Sequence, residues 1–195
     1  MPDAAPGDER PGSTGTEKKD GRRRRGQERR RILIDAALSV IGRDGLSAAT
    51  QRSVAAEAGV PPSAVYYYFA TLDDLVAAAL VEVNERFIAQ LDGVDTTGDN
   101  PLRALAVVTV EAARPTRAEA TAELELWMLA ARGERLRGEI DRYNASLHAT
   151  AARFSDDPTA VAAIAAALTG YYWQVATSDM FDAEQLEAIL RHIVR

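Results

Sequence analysis

The sequence predicts an all-α fold of about nine helices with a helix-turn-helix near the N-terminus. Three observations carry that prediction. Apolar/polar alternation and β-branched runs, the marks of strands, are nearly absent. Apolar residues recur instead at three- and four-residue spacing, through segments free of internal proline. Two short helical segments, at about 50–58 and 61–69, meet at a turn containing Gly59.

Residues 1–26 are expected to form a disordered basic tail, because 1–20 are rich in Pro, Gly, Asp, Ser and Thr. Arg22, Arg23, Arg24 and Arg25 close that tail. A first helix is expected over about 27–41, with Ile32, Ala36, Leu38, Ser39 and Ile41 near helical spacing and Gly42 with Gly45 at its end. The second spans about 50–58. The third opens at Pro61-Pro62, since proline suits a first turn, and ends near Phe69. The fourth is capped by Thr71, with Asp73 and Asp74 favouring its positive end, and reaches Leu91. After a loop at 92–100, five more helices follow at about 101–113, 117–131, 134–154, 158–178 and 183–194.

Apolar types make up 47% of the 195 residues, enough for one or two small domains with a core. The absence of Cys excludes disulfides and cysteine-based zinc sites and fits the cytoplasm, where the chain is expected. No membrane span is expected, since no apolar run approaches about 18 residues, and no secretory segment is evident. There are two His, His148 and His192, with no metal-binding spacing, no Gly-rich phosphate loop and no G-x-S-x-G. No enzyme activity, metal or cofactor is expected.

The net charge of −6 is unevenly spread. Residues 1–46 carry 11 Lys+Arg against 8 Asp+Glu, and residues 47–195 carry 12 against 21. DNA binding needs positive charge where the protein meets phosphate, not a positive total. The basic N-terminal segment permits that partner without establishing it.

The stretch from Thr50 to Phe69 assigns roles. Val54, Ala58, Val65 and Phe69 give each short helix an apolar stripe, and Ala55 is small where the helices cross. Gly59 suits a sharp turn, and Val60 can plug the angle between the helices. The second helix of such a unit enters the major groove by its N-terminal end while the first crosses the backbone. Pro62, Ser63 and Ala64 would then face base edges. Three consecutive tyrosines, Tyr66, Tyr67 and Tyr68, sweep too wide an arc to be buried together, so at least two are expected to reach phosphates. Thr50, Gln51 and Arg52 stand at the start of the first short helix, where phosphate is favoured.

These residues, G45-L46, T50, V54-A55, A58-G59-V60, V65-Y66-Y67-Y68-F69 and L75, resemble the DNA-binding domain of the TetR (tetracycline-repressor) family over about residues 29–76. The resemblance implies a homodimer that grips a palindromic double-stranded DNA operator through residues 27–70. It also implies an effector-binding and dimerisation domain over 71–195, and repression of target promoters. Several family features are missing. Pro61, Pro62, Ser63 and Leu72 stand where the family often has serine, a polar or basic residue, glycine and lysine. Ala70–Asp74 holds no positive charge, so the arginine block Arg22–Arg25 is a candidate DNA arm lying along the minor groove.

In the second half, the aromatic residues are read either as core or as walls of a ligand cavity. Trp127, Tyr143 and Tyr172 are the pocket candidates, with Gln174, Asn144 and His148 as possible polar groups. One stripe, Val161, Ile164 and Leu168, and a second, Leu186, Ile189 and Leu190, are candidates for the dimer interface, and in the family the last two helices pair with their copies. Ala162, Ala163, Ala166 and Ala167 permit close helix contact. A small-molecule effector is therefore expected. The competing expectation is a DNA-binding regulator without a ligand.

Overall fold

The computed structural model describes residues 14–114, 117–178 and 180–195. Regular structure among them is entirely helical: α1 Thr14–Asp44, α2 Gln51–Glu57, α3 Pro62–Tyr68, α4 Leu72–Asp92, α5 Pro101–Ala112, α6 Arg117–Arg132, α7 Glu134–Ala151, α8 Pro158–Thr177 and α9 Ala183–Ile193. A 3-10 turn at Leu46–Ala48 joins α1 to α2. No single described helix is long and apolar enough to cross a membrane.

Helix α1 begins earlier than expected. Of the expected tail, residues 1–13 lie outside the described residues, while 14–26 are helical and continuous with the rest of α1. The reason is local: Lys, Arg, Glu and Gln are good helix formers, and no proline falls within 14–44. The buried face of α1 also differs from the expected stripe. Leu33, Ile34, Ala37, Leu38, Val40 and Ile41 are buried, whereas Ile32 and Ser39 face outward.

Caps set the later boundaries. Thr50 and Thr71 each accept a hydrogen bond from the backbone N–H three residues on, and Ser53 and Asp74 return one, closing two capping boxes. Asn100, Asp157 and Asp182 cap α5, α8 and α9 in the same manner. Each such cap contributes about 1 kcal/mol. Gly59 has φ +65°, the left-handed turn that α2 and α3 require.

The core has two parts joined by α4. The first gathers α1, α2, α3, the N-terminal half of α4 (Leu75, Val76, Ala79, Leu80) and the inner face of α6 (Ala122, Leu126, Ala130). The second gathers the C-terminal half of α4 (Phe87, Leu91) with α5, α7, α8 and α9. The expected division at residue 70 therefore cuts through the first core. Helices α1 and α6 touch closely. Gly42 is not the end of α1 but the point of contact, where a Cβ would stand 2.0 Å from the Ala118 carbonyl oxygen. Glu125 of α6 accepts a hydrogen bond from the Leu46 backbone N–H, fastening the 3-10 turn to the second half of the chain.

Candidate functional site

Two surfaces concentrate the expected functional residues. The first is the outer face of α2 and α3. Val54 and Val65 are fully buried, Phe69 and Ala55 nearly so, and Ala58 and Val60 pack against the same core. That core leaves an exposed polar edge. Arg52, Pro62 and Ser63 are exposed, Tyr66 is 58% exposed and Tyr67 82% exposed. An aromatic ring held that far into solvent gains little from folding, which fits a contact role. Three expected contact residues are already engaged. The Thr50 hydroxyl caps α2. The Gln51 amide donates to the Phe69 carbonyl at 3.3 Å, tying α2 to the end of α3. Tyr68 is half-buried against the core, edge-on to Tyr67 with ring centroids 5.0 Å apart. Ala64 is half-buried.

Ahead of this face, Arg22–Arg25 and Arg29–Arg31 are exposed on the leading turns of α1. Arg30 stacks over the Phe69 ring at 5.0 Å, and Arg31 reaches Glu82 at 3.9 Å. The helix thus emerges from the core near residue 30. At roughly 1.5 Å per residue its earlier turns project about 20 Å further.

The second surface is a cavity of about 220 Å³ between α1, α4, α5, α6 and α8. Its buried lining includes Leu38, Val83, Phe87 and Tyr172. Glu123 joins them, and Gln90, Glu111 and Arg114 sit at the exposed rim. Tyr172 donates a hydrogen bond to the Glu123 carboxylate at 2.5 Å. Burial pushes the Glu123 carboxyl up to about 7, against that hydrogen bond, with Glu119 adding to the rise and Arg86 opposing it. Burial likewise pushes the Tyr172 phenol well above its ordinary range, so it remains a donor.

Of the expected pocket residues, Tyr172 lines this cavity. Tyr143 and Trp127 stand one layer behind it: Tyr143 stacks on Phe87 at 6.0 Å, and Trp127 meets Tyr143 edge-on at 4.8 Å. Gln174, Asn144 and His148 are exposed and do not line it. The polar group that does, Glu123, was legible in principle. It lies three residues after Ala120 and three before Leu126, on the apolar stripe of α6.

The expected dimer residues also divide. Ile164, Leu168, Leu186 and Leu190 are fully buried within the single chain, so they serve its own core and are not available to a partner. Val161 is half-buried and Ile189 is 43% exposed. The outward face of α8 is instead the small-residue line Ala162, Ala166 and Gly170.

Among the described residues, no group of three or more His, Cys, Asp or Glu is arranged to hold a metal ion.

Comparison with known proteins agrees with this geometry. The family model described as bacterial regulatory proteins, tetR family, matches residues 33–79, which hold the C-terminal part of α1, α2, α3 and the start of α4. The nicotine-responsive transcriptional repressor HdnoR of Paenarthrobacter nicotinovorans is 38% identical over 79 residues, 40% of each chain. The transcriptional regulator PksA of Bacillus subtilis is 30% identical over 101 residues, 52% of this chain and 49% of its own. The chain thus spans half or less of the length of these curated relatives. Solved structures match more fully. A TetR-family member from Streptomyces coelicolor A3 is 35% identical with a TM-score of 0.75, over 86% of this chain and 99% of its own. The multidrug binding protein EbrR, solved with malachite green, is 35% identical with a TM-score of 0.71 over the same shares. With its helix-turn-helix matched by the family model and its whole fold by these structures, the chain belongs to the tetR family of transcriptional regulators.

Proposed function

We propose that this chain is a repressor that binds a palindromic operator as a homodimer and is released when a small molecule fills the cavity beside α1. The reading rests on one observation above the others. The cavity wall includes Leu38 of α1, the helix whose buried face also carries the helix-turn-helix core. Arg86, a second lining residue, bonds Asp35 of α1. An occupant that displaces this wall moves α1, and α1 carries α2 and α3 with it. Half-sites one DNA turn apart, about 34 Å, tolerate little change in the separation of two recognition helices.

Named relatives support the role. HdnoR is a nicotine-responsive repressor, and EbrR is solved with malachite green, ethidium and proflavin. On the DNA side, Arg52, Ser63, Tyr66 and Tyr67 are the contact residues, with Pro62 and Ala64 beside them, and Arg22–Arg25 form the arm. Thr50 and Gln51 contribute through the helix end they hold in place. Dimerisation falls to the outward face of α8 and to Val161 and Ile189.

The test is footprinting of the chain on DNA from its own promoter region, followed by anisotropy titrations with a small-molecule library. A symmetric protected site and at least one compound that releases it are expected. Compounds that bind the cavity and leave operator affinity unchanged would overturn the ligand-released reading in favour of a regulator without an effector.

A further inference from the structure

We propose that Glu123 is a proton-operated latch between α6 and α8, through which affinity for the operator falls as the solution becomes more alkaline. The proposal rests on the operator-binding reading and needs no small molecule.

The latch is built from the placement of one carboxyl. Glu123 stands on α6 facing the cavity, and its carboxylate accepts a hydrogen bond from the Tyr172 hydroxyl of α8 at 2.5 Å. The surroundings of that bond are apolar. Leu38 of α1 and Val83 and Phe87 of α4 are buried and line the same cavity, and the Phe87 and Tyr172 ring centroids lie 4.9 Å apart. Along α6, Glu123 falls between the two points at which this helix meets the DNA-binding side. Ala118 lies against Gly42 of α1, and Glu125 accepts from the Leu46 backbone N–H in the turn that leads into α2. A change in how α6 seats on α8 at Glu123 is therefore felt at both.

The proton decides that seating. A neutral carboxyl is tolerated among apolar walls, whereas a carboxylate there needs donors or cations. The charged and titratable groups that face Glu123 are Arg86 from α4, Glu111 and Arg114 from α5, Glu119 (itself partnered) from its own helix, Tyr143 from α7 and Tyr172 from α8. From α1, Asp35 acts through Arg86. That guanidinium is committed to Asp35 at 2.6 Å and to Glu82 at 3.0 Å. Arg114 sits at the exposed rim, where water screens it. An ionised Glu123 thus keeps the Tyr172 hydroxyl and draws the rest of its solvation from water entering a cavity of about 220 Å³. Water gathered around that charge parts α6 from α8.

The sign follows from the carboxyl's environment. Burial lifts it from 4.5 to about 7, against the Tyr172 hydrogen bond. The packed arrangement therefore favours the proton, and that advantage is lost as pH rises through about 7. Tyr172, pushed well above its ordinary range, stays a neutral donor throughout. DNA is gripped by the packed arrangement, so its binding takes up protons and weakens as they become scarce.

The experiment is anisotropy titration of the full chain on labelled DNA from its own promoter region, at fixed salt and without effector, across a pH series. Tryptophan fluorescence is followed in parallel without DNA. The chain's two tryptophans flank the latch: Trp127 stands about one turn beyond Glu123 on α6, and Trp173 of α8 meets the Tyr172 ring edge-on at 5.2 Å. In wild type, operator affinity should fall about tenfold between roughly pH 6 and pH 8, and the fluorescence should titrate with the same midpoint. Glu123→Gln, which cannot ionise, should lose both responses. It keeps the exposed His148 and His192, so whatever they contribute remains as background. Tyr172→Phe removes the donor that favours the carboxylate and should move the midpoint upward by about half a pH unit. Thermal melts confirm that each variant is folded, and each tests the latch independently of the other. Equal pH dependence in wild type and Glu123→Gln overturns the proposal, as does a Tyr172→Phe midpoint that stays or moves down. So does a wild-type fluorescence titration that operator affinity ignores. Failure to bind the DNA at any pH overturns the operator-binding reading itself, and this inference with it.

Discussion

The Arg86 guanidinium donates to the Asp35 carboxylate at 2.6 Å, and in doing so ties the wall of the cavity to α1. Arg86 is also held by Glu82 at 3.0 Å, so its position is fixed from its own helix. Both ends of the α1–α4 pair are partly exposed, and such a pair adds little to stability. Its value is positional. Asp35→Asn should leave effector affinity and the melting temperature nearly unchanged while weakening the effector's leverage on DNA. Coupling free energies are typically about 1–3 kcal/mol, and loss of one link is expected to reduce operator release about fivefold. Titration of a preformed protein–DNA complex with effector reads that number.

Gly42→Ala reverses a familiar rule. Alanine in a helix interior is normally favoured over glycine by about 1 kcal/mol. Here the added Cβ would stand 2.0 Å from a backbone oxygen of α6, which no side-chain rotation can relieve. A loss of about 1–3 kcal/mol is expected in urea unfolding. Gly26→Ala is the control: nothing lies within 4 Å of its Cβ, and it should gain slightly.

The Glu123 carboxyl makes stability fall as pH rises. Burial lifts it from 4.5 to about 7, so between those values the folded chain binds a proton that the unfolded chain has lost. Its protonated form is favoured in the fold, and the advantage is complete below about pH 4 and gone above about pH 7. The swing is on the order of 2–3 kcal/mol at most. Denaturant midpoints measured across this window should slope downward in wild type. In Glu123→Gln that contribution to the slope should vanish.

On the DNA face, Tyr67→Ala and Arg52→Ala should each weaken operator binding about tenfold without lowering the unfolding midpoint. Neither side chain is buried, and phosphate contacts carry much of such affinity. Arg22, Arg25 and Arg29 fall on one side of α1 by their spacing of three and four. Replacing all three with glutamine removes six arginines from a dimer and should flatten the salt dependence by about five units of slope if each meets a phosphate. An unchanged slope would remove the arm from the interface.

The outward line of α8 predicts the effect of bulk. Ala166→Arg places a charged side chain on an exposed small-residue face and, if the proposed dimer forms there, should convert it to monomers of unchanged helicity, read by light scattering and circular dichroism. Operator affinity should fall by two orders of magnitude or so as two half-sites are no longer held together. Leu168→Ala, at a fully buried position, should instead destabilise the protomer by about 2–5 kcal/mol.

Much of this architecture was readable in advance because its signals are local. Thr50, Thr71, Gly59 and the prolines at 61–62 punctuate the chain through their own backbone chemistry, and the helices after α1 fall within a few residues of the expected bounds. The errors have a common origin in tertiary geometry. Apolar periodicity identifies a stripe but not what covers it, so Ile164, Leu168, Leu186 and Leu190 read as interface although the same chain buries them. A glycine near the end of a helix reads as a stop, while Gly42 answers to α6, far off in sequence. Glu123 sits where the helical repeat asks for an apolar residue, and its meaning emerges from the cavity around it. The start of α1 differs for the opposite reason: the Pro, Gly, Asp, Ser and Thr content of residues 1–20 argues for disorder, whereas the Lys, Arg, Glu and Gln that follow favour helix from Thr14 on.

The sharing of one core between α1–α3, α4 and α6 bears on how such proteins can be recombined. A graft that exchanged residues 27–70 between relatives would carry Val54, Val65 and Phe69 to a new chain. It would leave behind Leu75, Leu80, Ala122 and Leu126, on which they rest. The contact of Gly42 with Ala118, and of Leu46 with Glu125, would have to be matched as well. A chimera joined after α4 and carrying its own α6 surface should retain operator recognition, whereas a joint at residue 70 should yield a poorly folded chain. In this protein, exchanging the DNA-reading helices while keeping the rest of the chain folded demands a seam that follows the packing rather than the motif.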